Sequence, residues 1–371
     1  MDTSEEFSFE NADPFARFIR HRLNWSPLKY GIAILITNIM VNGYFALRYR
    51  AFVTQTGPPG LFQDPTILFE SYVMMPVVGG FYIWSILRIG ALLHQLHRSN
   101  IFVEETGLEK LALVVKQRIQ SRAALIVSFI IASIATFLTL GKYLGWFRGP
   151  EAVSFLSYSN ILPWVRSPLW FLSMYAICFG LFNIGVTIIT LRRVFRDHAI
   201  RISPWHPDRC GGLKSISQYS MMLGYAIAVL GIFLSIQTIQ EIQSGVFQTS
   251  YLTWFGLAGY IILAPLVFFL PLGTAHTAMR NAKTTHLLAL SHQFDAQYEL
   301  IVDSLQDEDS DIGSNAEMIE QLQTLYKITE DFIIWPFDVV NLRRFLTITL
   351  APLLPGVASV LFELIRIFLV E

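Results

Sequence analysis

The residues best equipped for chemistry lie in one short run, Ser203-Pro204-Trp205-His206-Pro207-Asp208-Arg209-Cys210-Gly211-Gly212-Leu213-Lys214. His206, Asp208 and Cys210 are each of a type that ligates metals. Asp208 and Arg209 can form charge-assisted pairs. Gly211 and Gly212 would let backbone approach a phosphate, with Lys214 and Ser215 close by. The chain has no GxxxxGK[ST] pattern, so the phosphate reading lacks its usual scaffold. The competing reading is a rigid turn, shaped by prolines and glycines, in which Asp208 or His206 caps the helix that follows. That reading makes the run a structural clasp or gating joint, with metal or phosphate binding as the alternative.

Other candidates are more dispersed. His94 and His97 are spaced i,i+3 and share a helix face, which could begin a metal site if His206 or another side chain completed it. Asn38 and Asn42 are spaced i,i+4 within an apolar run, and Asn183 and Thr187 have the same spacing in another. Polar side chains in hydrocarbon need partners or water. They mark either a hydrophilic path or hydrogen-bonded packing between helices. Pro352, Pro355 and Gly356 interrupt the last apolar run, and Glu363 lies near its far end. Broken helices expose backbone carbonyls and often line ion paths; the alternative is a kinked packing helix. No buried cluster of titratable groups is expected within a span, which argues against a proton relay. No Rossmann fingerprint, HExxH or serine elbow is present.

The elements that must position these residues are helices in a bilayer. Of 371 residues, 53% are hydrophobic and only 15% charged, against about a quarter charged in soluble domains. The shortfall reflects long apolar runs. The expected class is all-α: a polytopic membrane protein of seven spans, or six plus a re-entrant segment, with a cytoplasmic helical hairpin. Residues 1–29 are expected to form an amphipathic cytoplasmic N-terminus. Residues 30–273 form six spans with cytoplasmic loops at 88–122 and 192–218, the sixth span holding Pro265 and Pro271. Residues 274–336 form the hairpin, from apolar positions recurring at near-heptad spacing. Residues 337–371 hold the proline-kinked terminal span.

Lysine and arginine concentrate in 88–122, 192–218, the region after the sixth span and the N-terminal segment. The positive-inside rule then places the N-terminus in the cytoplasm of a cell-membrane protein, with all eight histidines on that side. A net charge of −1 gives no bulk attraction to nucleic acid. Cys178 and Cys210 form neither a disulfide framework nor a CxxC pair. No cofactor is indicated.

His206-Pro207-Asp208-x-x-Gly211-Gly212-Leu213, together with Trp335-Pro336-Phe337-Asp338 and the proline-containing last span, resembles a group of uncharacterised bacterial multi-pass membrane proteins; that resemblance implies no activity. The layout is also similar to the seven-span ion channels of the insect gustatory and odorant receptor type. It implies a pore lined by the last span at the axis of an oligomer, anchored by the cytoplasmic helices. The leading expectation is therefore a homo-oligomeric ion channel. The alternatives are a membrane-anchored sensor or scaffold that binds a cytoplasmic protein, and a metalloprotein built on the cytoplasmic histidines.

Overall fold

The computed structural model describes residues 13–99, 101, 113–146, 154–197, 202, 206–208, 210–245, 251–304, 312–336 and 339–360. Every regular element among them is helical. In chain order these are α1 (Pro14–Arg17, continued by a π turn Phe18–Arg22), α2 (Pro27–Arg48), α3 (Pro65–Arg98), α4 (Arg122–Tyr143), α5 (Leu162–Asp197), α6 (Lys214–Gln243), α7 (Tyr251–Ser304), α8 (Ile312–Glu330) and α9 (Val339–Leu350). Helix starts follow local chemistry. Asp13, Ser26, Asp64 and Ser121 each accept a backbone N–H of the first turn, and α1, α2 and α3 carry proline at the first position.

Among the described residues, α2 through α7 are six helices long and apolar enough to cross a membrane. Their surfaces are inverted relative to a soluble bundle. On α4 the buried stripe is Ala124, Ser128, Ala132 and Thr136, small and partly polar, while Ile126, Phe129, Ile130, Ile134 and Phe137 face outward. On α2, Asn38 and Asn42 are buried while Ile32, Ile36, Ile39 and Met40 are exposed. In water such a surface would be a large apolar patch; against lipid it is the expected arrangement. The chain is an integral membrane protein.

α3 is the axis of the bundle. It packs against α2, α5 and α6; α4 packs on α5, and α7 on α6. Met74, Met75, Ile83, Ile86, Leu92 and Leu93 of α3 are wholly buried. The α2–α3 crossing is close because glycines form it. A Cβ on Gly31 would sit 2.8 Å from the carbonyl oxygen of Pro76, and one on Gly80 3.1 Å from that of Pro27. Gly31→Val is expected to destabilise the protein by about 1–3 kcal/mol, because the obstacle is backbone and cannot rotate away. Chemical unfolding in detergent measures it, and a cost below a few tenths of a kcal/mol would contradict the crossing.

The sixth span and the first half of the expected hairpin prove to be one 54-residue helix, α7, continuous through Pro265 and Pro271. α8 returns along its far part, where Lys283 Nζ donates to the carbonyls of Glu330 and Phe332. The terminal run is interrupted: α9 tightens into a 3-10 turn at Ala351–Leu353, and helix resumes over 354–360. This segment runs parallel to α6. Phe345 meets Gly224, and eleven residues later the Gly356 amide donates to Ser235 Oγ at 2.8 Å. The N-terminal segment is seated in the bundle. Ala16 and Ile19 are buried, the Tyr82 hydroxyl donates to Asp13, and the Phe15 ring lies 5.3 Å from Tyr175.

A charged vestibule between four helices

The His206 run and the hairpin lie at one end of the bundle. At the opposite end, α3, α4, α5 and α6 line a half-open cavity of about 210 Å³. Its chemistry begins with Pro76, which has no N–H for the helical ladder of α3. Just before it, the turn Glu70–Met74 widens to a π turn, a feature frequent at functional sites. There Glu70 and Ser71 meet Arg166 of α5. Arg166 Nη2 donates to Glu70 Oε1 at 2.6 Å and to Ser71 Oγ at 2.9 Å. The two charged side chains are only 4% and 7% exposed.

A second pair closes the other wall. Lys142 of α4 donates to Glu241 Oε1 of α6 at 2.9 Å. Glu241 is 5% exposed and Lys142 26%. Gln237 Nε2 donates to the same Glu241 oxygen and to Thr253 Oγ1, and the Thr66 hydroxyl donates to Gln240. Asp64 is structural as well as acidic. Its carboxylate accepts from the Ile67 amide at 3.1 Å, the Ser154 hydroxyl at 2.7 Å and the Phe155 amide at 3.0 Å, tying the 154–158 turn to the start of α3. Trp170, Met174, Phe233 and Leu234 form the apolar part of the lining.

Three carboxyl groups (Asp64, Glu70, Glu241) thus stand with two cationic side chains (Lys142, Arg166). Glu241 Oε2, Trp170 Nε1 and the Nε and Nη1 of Arg166 are buried without a hydrogen-bond partner among the described residues. Such orphans are rare and costly.

This arrangement corrects the expectation that no buried titratable cluster exists. Glu70 and Arg166 are 96 residues apart, and each lies near a span end, where an isolated charge reads as interfacial. The available signal was Glu70 standing a turn and a half before Pro76 in an otherwise apolar run.

The sequence's own candidates fall elsewhere. Asp208 accepts from the amides of Cys210 (2.8 Å), Gly212 (3.0 Å) and Lys214 (3.3 Å), and His206 Nδ1 lies 2.7 Å from its Oδ1. Gly211 and Gly212 have φ of +62° and +93°, a region that favours glycine. A side chain on Gly211 would strike Ile202 and approach Phe332; one on Gly212 would press on Ile101. Both carboxylate oxygens are already engaged by donors, so the run forms a clasp, holding the start of α6 against 101, 202 and the chain after α8. Arg209 lies outside the described residues. His94 and His97 remain on α3, and no group of three His, Cys, Asp or Glu side chains that could hold a metal occurs among the described residues. Two other histidines serve the same joint. His276 stacks on Trp335 at 4.0 Å with Nδ1 2.8 Å from the Ile334 carbonyl oxygen, and His286 Nε2 is 3.3 Å from that of Ile202.

Partial burial pushes the Asp208 carboxyl up, but hydrogen bonds from Gly212, Cys210, His206 and Lys214 outweigh it and hold it below the usual carboxylate range. A depressed folded value means that the carboxylate contributes stability above its unfolded value of about 3.9. That contribution is lost as pH falls through the lower folded value. Unfolding midpoints measured across this acidic range should drop in the native chain, and Asp208→Asn should drop less steeply over the same range. Identical slopes would show that Asp208 carries no linkage.

Asn38 and Asn42 lie on the α2–α3 face, Asn42 beside the Glu70–Met74 turn. Asn183 and Thr187 are buried on α5, and the Thr187 hydroxyl donates to the Asn183 carbonyl of its own helix. Of the terminal candidates, Gly356 is buried on Ser235, Pro355 is exposed, Pro352 stands in the 3-10 turn, and Glu363 lies outside the described residues.

Comparison of the chain with protein-family models, curated proteins and solved structures finds no match.

Proposed function

We propose that this protein conducts an ion or carries a small charged solute across the membrane, and that the vestibule is where the permeant first binds. The observation that carries the reading is a cavity between four helices whose lining holds the Lys142–Glu241 pair, Asp64 and Glu70, the last paired with Arg166 behind the wall. Buried charge at the end of a membrane bundle is expensive, and such charges often mark substrate and ion pathways. By the distribution of lysine and arginine, the vestibule opens away from the cytoplasm and the hairpin lies within it.

The broken terminal segment belongs to the same device. Its Gly356 holds Ser235, the residue after Phe233 and Leu234 in the vestibule wall. Movement at the Ala351–Leu353 break would therefore reach the cavity through α6. In this reading the segment crosses as a seventh span, and copies associate through the hairpin, where Leu288, Tyr298 and Leu300 are exposed. Reconstitution into liposomes tests it: cation-dependent current or uptake, reduced at least tenfold in Glu241→Gln, is expected. Absence of flux under both voltage and concentration gradients would sink the reading.

A scaffold role is the second reading. It is favoured by a cavity of about 420 Å³ between α7 and α8, with Leu290, Phe294, Leu322 and Tyr326 in its lining. It requires a stable protein partner that is lost when 312–330 is deleted from a chain that still folds.

A further inference from the structure

The vestibule's unmet valences specify what it takes. We propose that the ligand is a small organic ammonium ion, held by Glu241 and by the faces of Trp170 and Phe233; this rests on the reading of the vestibule as a binding site.

Most acceptors there are committed. The Asp64 oxygens receive Ile67, Ser154 and Phe155; Glu70 Oε1 receives Arg166; Gln240 Oε1 receives Thr66; Glu241 Oε1 receives Lys142 and Gln237. Glu241 Oε2 is left, buried and unpartnered, on a side chain that lines the cavity. It suits an N–H donor.

Trp170, Met174, Phe233 and Leu234 make the rest of the lining apolar. They offer an alkyl group a dry surface. The Trp170 and Phe233 rings stand 6.4 Å apart and tilted by 53°, so they make an aromatic corner, the arrangement that attracts ammonium groups by their ring quadrupoles. The unpartnered carboxylate oxygen of Glu241 sets the sign of the ligand. The volume sets its size: about 210 Å³ is below the roughly 300–1,000 Å³ of sites for drug-sized molecules.

The test uses the full chain in lipid nanodiscs and three probes of matched concentration: n-butylammonium chloride, potassium chloride and n-butanol. Binding is read as a saturable rise in the thermal unfolding midpoint. Butylammonium is expected to bind at least about tenfold more tightly than either control, since one charge-assisted hydrogen bond is worth about that much or more. Glu241→Gln, which keeps an oxygen for Lys142, should weaken it about tenfold, and Trp170→Leu should weaken it too. Equal binding of butanol would reduce the site to an apolar hollow. Equal binding of potassium would make it an inorganic cation site. Unchanged binding in Glu241→Gln would remove the assigned residue. Any of these overturns the inference, and if Glu241→Gln fails to fold, the comparison of the three probes on the native chain decides. Binding of butylammonium without flux in liposomes would sink the transport reading and leave the ligand. Flux of inorganic ions without butylammonium binding would do the reverse.

Discussion

Replacing Arg166 with methionine is expected to destabilise the folded protein by about 3–5 kcal/mol, the range for breaking a buried ion pair from one side. The cost comes less from the lost 2.6 Å bond than from Glu70, which would remain buried without its cation. Ser71 would also lose its donor. Glu70→Gln on the native background should also be destabilising, because it leaves the Arg166 guanidinium buried without a counter-charge, although the amide oxygen still accepts from it. In the double variant the buried charge is gone, and much of the loss should be recovered. The coupling energy from the four proteins, measured by denaturant titration in detergent, should be on the order of 2 kcal/mol. Coupling near zero would mean that water or lipid headgroups hydrate the pair, and that it does not organise α3 against α5.

The second large effect belongs to the other end of the bundle. Asp208→Ala should cost about 2–3 kcal/mol, because three amides, those of Cys210, Gly212 and Lys214, lose one shared acceptor. The full sum of three unsatisfied donors is not expected. The Asp208 side chain is 14% exposed, so water can reach part of the loop. The loss should be local as well as global. Hydrogen exchange should accelerate at 211–213 and at Phe332, whose ring lies beside Gly211. Gly211→Ala, with φ at +62° and Ile202 in the way, should produce the same local opening while leaving the acceptor in place. If both variants exchange like the native chain, the run is not a clasp.

These two sites were legible to different degrees. At the clasp the sequence was nearly sufficient. Asp208 reaches its amides within six residues, and turn chemistry is local. The preference for a rigid turn over a metal site follows from prolines, paired glycines and a capping acid in one short run. Tertiary packing added only what the turn holds: Ile101, Ile202 and Phe332.

The polar stripe in the spans was ambiguous in sequence because a hydroxyl can serve either a path or its own helix. In the structure Thr136, Thr139, Thr187, Thr190 and Thr238 each donate to the carbonyl four residues back. These hydroxyls are satisfied and mark no route. Asn183 differs. The Asn183 side-chain atoms are buried without partners among the described residues, a distinction that spacing cannot make.

The amino-acid sequence by itself determined the all-helical class, the apolar runs of α2 to α7 and the turn chemistry around Asp208, while its expectation of seven spans met six membrane-length helices among the described residues. Each follows from composition or from contacts within a few residues, where the periodicity of the chain is also the periodicity of the structure. Only the tertiary structure decided that α7 runs unbroken past two prolines and that the charged centre lies at the far end from the histidines. A proline in a span removes one hydrogen bond, yet an apolar setting still favours continuing the helix over exposing more backbone. Glu70, Lys142, Arg166 and Glu241 come from four helices, and nothing in the local sequence of any one of them names the other three. Their meeting is fixed by how α3, α4, α5 and α6 pack, and the cost of burying a charge alone makes each pair depend on that packing.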